Sequence, residues 1–286
     1  MCTAVQFSGT FGRNFDFHKS FGEKIVLTPR RIMLSFIHEG NNEEHPAIIG
    51  TAVTVSGTAL YFDAMNEYGI CAAALNFPHL AVYRNFTCGK LNVASFEVIP
   101  YVLSSCKNMA EVKTLLSKIN ITNDSFSQDM PATGLHWIFS DGKSSVVLES
   151  TEDGVHVYDA ETGVLTNPPE YPVHLQNYRT HTDNPTWDYS SVSRFFKASQ
   201  IREGYHIDDE SGKVSLFRIL TSVSVPKGSI IKEEGVHYTK YTSVCDTEKR
   251  IYHRQIYENM TVYSVKMDDL NLEGNSLSFC EGEFAN

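Results

Sequence analysis

The first third of the chain reads as short β-rich runs. Segments 3–7, 12–17, 24–27, 32–37, 47–55 and 59–62 are dominated by Val, Ile, Phe and Thr, and several alternate apolar with polar positions, as half-buried antiparallel strands do. Residues 67–75 predict a turn at Gly69 followed by a continuously apolar, fully buried strand. Helical spacing then appears over 96–105 and 109–116, with Asn108 positioned to cap the second helix. A further strand group covers 135–140, 145–149 and 154–158, punctuated by Asp141-Gly142 and Asp153-Gly154. The pattern closes with helices over 190–201 and 214–222 and strands over 237–244, 250–257 and 261–266.

Strand groups separated by helix pairs, with no βαβ alternation and no Gly-rich phosphate loop, predict an α+β fold in which helices lie outside antiparallel sheets. The Pro-containing stretch 167–185 reads as a long functional loop. No internal repeat or Pro/Ser-rich linker interrupts the chain, so residues 1–286 are expected to form one domain.

Composition narrows the function classes. A hydrophobic share of 42% with 20% charged residues supplies a large core and excludes wholesale disorder. The formal charge of −10 opposes general affinity for phosphate backbones or anionic lipid, so neither nucleic acid nor membrane is an expected partner. No run approaches the roughly 18 apolar residues of a membrane span. The first thirty residues carry Arg13, Asp16, His18 and Lys19 where a signal peptide would be apolar, which predicts a cytoplasmic protein. The six cysteines include no C-x-x-C pair, so no metal site and no disulfide scaffold is expected.

The most informative residue is Cys2. A small residue after the initiator Met permits removal of that Met, and the thiol would then share a residue with a free α-amine whose ordinary pKa is about 8. Nucleophile and base would arrive together. Arg13 and Asp16 lie among Phe11, Phe15 and Phe17, where an unpaired charge is costly. In an extended strand these two face opposite sides, unless a bulge or bend turns both polar tips toward one pocket. A guanidinium beside Cys2 would favour the thiolate, and a carboxylate would orient the α-amine. Asn76 at the end of a buried run, Asn167 before Pro168-Pro169, and Arg194 within Ser193-Arg194-Phe195 complete the candidates. A strand-end Asn can offer the donor an oxyanion hole requires.

The series Met1-Cys-Thr-Ala, Phe11-Gly-Arg-Asn-Phe-Asp, Val26-Leu-Thr-Pro-Arg, Tyr61-Phe-Asp-Ala-Met-Asn, Leu75-Asn-Phe-Pro, Leu135-His-Trp, Gly163-Val-Leu-Thr-Asn-Pro and Ser190-Ser-Val-Ser-Arg-Phe resembles the motifs of choloylglycine hydrolases. That family comprises bile salt hydrolases and penicillin V acylases within the N-terminal nucleophile hydrolases. The resemblance runs in order from residue 1 to about 270. It implies a four-layer αββα sandwich of two antiparallel sheets between helix layers, and cofactor-free hydrolysis of a small-molecule amide by the N-terminal Cys. It implies further that Arg13 and Asp16 hold the thiolate and α-amine, that Asn76 and Asn167 serve oxyanion stabilisation and amine orientation, and that Arg194 completes the charge network.

Penicillin V acylases tend to carry Tyr at the position of Asn76, so the pattern is more similar to bile salt hydrolases. The substrate expected is a bile salt conjugated to glycine or taurine. Penicillin V or an N-acyl homoserine lactone is the alternative, and an inactive binding homologue that keeps Met1 is a third. Many family members carry a Gly-rich loop before Ser-Arg-Phe that reaches a neighbouring subunit, whereas this chain has Asp183-Asn-Pro-Thr-Trp-Asp. A homo-oligomer is expected, as a dimer or a weak tetramer, with Trp187 at the rim of its own pocket.

Overall fold

A computed structural model describes residues 1–180, 187–205, 212–280 and, by backbone only, 283–284. Two eight-stranded, antiparallel sheets stack face to face. In the first, the spatial order is Val164–Thr166, Cys2–Phe7, Thr10–Phe17, Gly235–Asp246, Ile251–Ile256, Val262–Lys266 and Glu283–Phe284, with Ile230–Lys232 paired to Gly235–Asp246. In the second it is Gly154–Asp159, Ser145–Thr151, Leu135–Ser140, Cys71–Asn76, Thr58–Asn66, Ile48–Val55, Lys24–Thr28 and Ser278–Phe279.

Helices Val98–Ser105 and Met109–Leu116 cover the second sheet through Val98, Val102, Val112 and Leu116, all buried with Trp137 and Leu148 of its strands. Helices Tyr171–Thr180, Ser191–Gly204 and Gly212–Ser222 cover the first. The αββα order follows from strands apolar on both sides. Cys2–Phe7 is buried at all six positions, so each sheet needs a layer on either face. Asn108 caps its helix as expected, accepting from Glu111 N–H while Glu111 reaches back to Lys107 N–H.

Gly69 shows why the turn before Cys71–Asn76 is a glycine. Its φ is +77°, and a Cβ there would lie 2.6 Å from the Thr247 carbonyl oxygen.

Two expectations from the pattern are corrected. Residues 32–37 do not join a main sheet; only Leu34–Phe36 is extended, in a separate hairpin with Gly40–Asn42. The expected loop 167–185 contains the helix Tyr171–Thr180. Pro172 sits in that helix's first turn, where its missing N–H costs nothing, and Tyr171 and His174 bury their rings against Phe195. Residues 181–186, which hold most of the segment expected to replace the Gly-rich loop, lie outside the described residues.

Candidate active site

Cys2 begins an inner strand of the first sheet and pairs with Phe15. The pleat sends Cys2, Arg13, Phe15 and Phe17 toward the second sheet, and Thr3, Asn14 and Asp16 toward the helices. Arg13 and Asp16 therefore stay on opposite faces and approach Cys2 from both. The bulge admitted by the sequence reading occurs on the neighbouring strand, between Thr239 and Tyr241. There Thr239 Oγ1 donates to Asp16 Oδ1 at 2.6 Å.

On the inner face, Arg13 is fully buried and its Nη2 donates to Cys2 Sγ at 2.6 Å. Its Nη1 donates to the carbonyls of Phe62 and Ala74, each at 2.9 Å, which bolts the guanidinium to the facing sheet. Asp63 stands behind it, with Oδ2 4.0 Å from Arg13 Nε. Tyr241 donates to Asp63 Oδ2 at 2.6 Å and Tyr252 to Oδ1. Burial works against the Arg13 charge, but the Cys2 sulfur, Tyr241 and Asp63 outweigh it and raise its pKa. The guanidinium remains a cation.

On the outer face, Arg194 occupies the first turn of a helix capped by Ser190, whose hydroxyl accepts from Ser193 N–H. It is fully buried. Its Nη1 donates to the Cys2 carbonyl and, at 2.6 Å, to Thr3 Oγ1, while Nη2 donates to Asn167 Oδ1 at 3.0 Å. Asp16 Oδ2 is 3.7 Å from Nη1 and has no hydrogen-bond partner. Burial lowers the Arg194 pKa, opposed by Asp16, Cys2 and Asp188.

Asn167 directly follows Thr166, which pairs with Thr3, so the sheet register brings it beside Cys2. Its Oδ1 accepts from Cys2 N–H, and its Nδ2 donates across the sandwich to the Asn76 carbonyl at 2.8 Å. Its own carbonyl accepts from His174 Nε2 at 2.8 Å and Ser191 Oγ at 2.6 Å. Met1 extends the strand opposite Asp16: its ammonium donates to the Asp16 carbonyl at 2.6 Å, and its carbonyl accepts from Asp16 N–H at 2.9 Å. Burial lowers the pKa of that ammonium.

Cys2 and Asn76 line a cavity of about 410 Å³ walled by Phe15, Phe17, Phe62, Ile99, Met130 and Trp137. Phe15 stacks on Phe62 and Tyr241 at ring separations of 5.0 and 5.3 Å, which fixes this wall from both sheets. Trp187 does not line it. Its ring packs instead under Lys197 Nζ at 4.0 Å and edge-on to Tyr189, so the expected rim position is corrected.

All six residues singled out from sequence, Cys2, Arg13, Asp16, Asn76, Asn167 and Arg194, thus converge. Sequence reading missed Thr239, His174 and Asp63. Of these only Asp63 carried a local signal, as an acid inside the apolar run Leu60–Met65.

A family model for linear amide C–N hydrolases, choloylglycine hydrolase family, matches residues 2–187 and 185–280. The chain belongs to the choloylglycine hydrolase family. Among curated members, it is 36% identical to a bile salt hydrolase/transferase of Lactiplantibacillus plantarum, over 97% of this chain and 95% of that protein. It is 30% identical to a conjugated bile acid hydrolase of Lactobacillus acidophilus, over 97% and 99% respectively. Among solved structures, the C2A mutant of conjugated bile acid hydrolase from Clostridium perfringens superposes with a TM-score of 0.92 at 28% identity, covering 99% of this chain and 97% of that one. Penicillin V acylase from Agrobacterium tumefaciens shares the fold, with a TM-score of 0.80 at 19% identity over 97% and 90%. The sandwich is the N-terminal nucleophile hydrolase fold that the motif series implied, and the chain is a C–N amide hydrolase by family.

Proposed function

We propose that this chain hydrolyses the amide joining a steroidal acyl group to glycine or taurine, with Cys2 as nucleophile. The observation that carries the reading is the Cys2 sulfur, held by Arg13 at 2.6 Å in the wall of an apolar cavity of about 410 Å³. That volume falls within the usual range for sites that enclose a drug-sized ligand. Likeness to bile salt hydrolases over nearly the whole chain supports the acyl class.

Removal of Met1 would convert the Cys2 amide nitrogen into a primary amine. The amine takes the thiol proton, the thiolate attacks the amide carbon, and the α-ammonium returns the proton to the departing nitrogen as the thioester forms. Water, deprotonated by the same amine, then releases the acid and restores the thiol. Arg13 stabilises the sulfur anion. Asn167 Oδ1 and the unpartnered Asp16 Oδ2 orient the amine, with Arg194 spanning both. Asn76 and the second N–H of the Asn167 amide are the oxyanion donors in this scheme.

Incubation with taurocholate, glycocholate and penicillin V, with measurement of the released amine, tests the substrate class. Release of taurine or glycine supports it, and turnover of penicillin V alone overturns it. Intact mass tests the amine: the active species should lack Met1. We also propose a cytoplasmic dimer or a tetramer that dissociates on dilution, to be checked by light scattering over a concentration series. Among the described residues, no helix is long and apolar enough to cross a membrane.

A further inference from the structure

A second set of chemically capable side chains stands beyond the aromatic wall. Phe17, the last residue of its strand, pairs with Tyr238. His18 follows Phe17 and His237 precedes Tyr238, so the two imidazoles meet across the strands with ring centroids 5.2 Å apart. The hairpin that pairs Lys232 with Gly235 carries Glu234 back over them, and Glu234 Oε1 lies 3.0 Å from His237 Nε2. One ligand atom each from His18, Glu234 and His237 falls within 4.8 Å of the other two. His237 is 4% exposed, and its Nδ1 has no partner; the buried Nδ1 of His18 has none either. Buried polar nitrogens are ordinarily satisfied, so two orphans on adjoining rings point to an absent partner.

We propose that His18, His237 and Glu234 bind a divalent transition metal of the zinc class. Two imidazoles and one carboxylate suit Zn²⁺, Ni²⁺ or Cu²⁺, whereas Ca²⁺ and Mg²⁺ prefer all-oxygen sets. Three protein ligands leave a fourth position for water or an anionic group. His237 is fixed by the sheet, so closure onto an ion is a matter of turning the exposed Glu234 and the half-buried His18.

The site shares no residue with the Cys2 machinery, yet it adjoins the cavity. Phe17 stacks on His18 at 4.6 Å and also lines the cavity that contains Cys2. An ion there would set a positive charge beside the cavity wall. This assignment does not depend on the substrate reading.

The test is a calorimetric titration of metal-free, full-length protein with zinc chloride, repeated with nickel chloride, whose preference for imidazole separates the site from the thiols. One equivalent should bind with micromolar affinity or better. His18→Ala and Glu234→Gln should each weaken binding at least tenfold, with unchanged melting in the absence of metal. Cys88→Ser, at an exposed thiol, should leave binding intact. Equal affinity in wild type and His18→Ala, loss of binding in Cys88→Ser alone, or no binding at millimolar metal would each overturn the proposal.

Discussion

Arg13 Nη2 donates to Cys2 Sγ at 2.6 Å from the inner face of a sheet whose outer face presents Asp16 to Arg194. One strand thus delivers a cation to the sulfur and a carboxylate to the backbone side of the same residue. The pleat separates the two jobs, so neither charge neutralises the other.

Cys2→Ser should fold normally, because the hydroxyl is close in size to the thiol and keeps the hydrogen bond with Arg13. Its activity should fall by several orders of magnitude, as loss of a covalent nucleophile does. Initial rates of amine release, beside a thermal melt, check both halves; near-normal turnover would exclude Cys2 as the nucleophile.

Arg194→Ala should cost stability as well as activity. The change strips the buried Asp16 carboxylate of its neighbouring cation and removes one donor each from the Cys2 carbonyl and from Asn167 Oδ1, which keeps only Cys2 N–H. Breaking a buried charge pair from one side typically costs about 3–5 kcal/mol. Denaturant unfolding measures it, and a variant that loses activity at full stability would show that Asp16 finds another partner.

Asn167→Ala should lower the rate by about 10²- to 10³-fold, the usual effect of losing one oxyanion donor. It also removes the acceptor for Cys2 N–H, so the acidic limb of the pH–rate profile should shift. An unchanged rate with a lowered melting temperature would reduce Asn167 to a clasp between the sheets.

Acid should destabilise the fold through His174. Burial lowers its pKa from 6.5 to about 4, opposed by its hydrogen bond with the Asn167 carbonyl. Between these values the unfolded chain binds a proton that the native ring refuses, so stability falls as pH drops from about 6.5 toward 4 and levels off below. His253 is lowered to about 4 by the same burial and contributes in the same direction. His174→Gln should therefore show a shallower loss of melting temperature across that window than wild type. Parallel curves would exclude His174 as a source of the acid sensitivity.

The strands over Thr3–Phe7 and Gly12–Phe17, the cap at Asn108, and charges embedded among phenylalanines were legible because each is local, set by β-rich composition, capping chemistry and the cost of burying a charge, whereas the burial of both strands on both faces was not. The six candidate residues were joined into one site by the family resemblance of the motif series, not by local period or capping. Sequence could not assign faces to Arg13 and Asp16, since that depends on which sheet surface meets helices and which meets the other sheet. It also read 167–185 as a loop, when tertiary burial of Tyr171 and His174 stabilises the helix Tyr171–Thr180 there. Thr239, at a bulge 223 residues from Asp16, and Tyr252, 189 residues from Asp63, enter the site only through strand pairing and sheet stacking. Those contacts come from closing the sandwich, a long-range burial that no window of the chain contains.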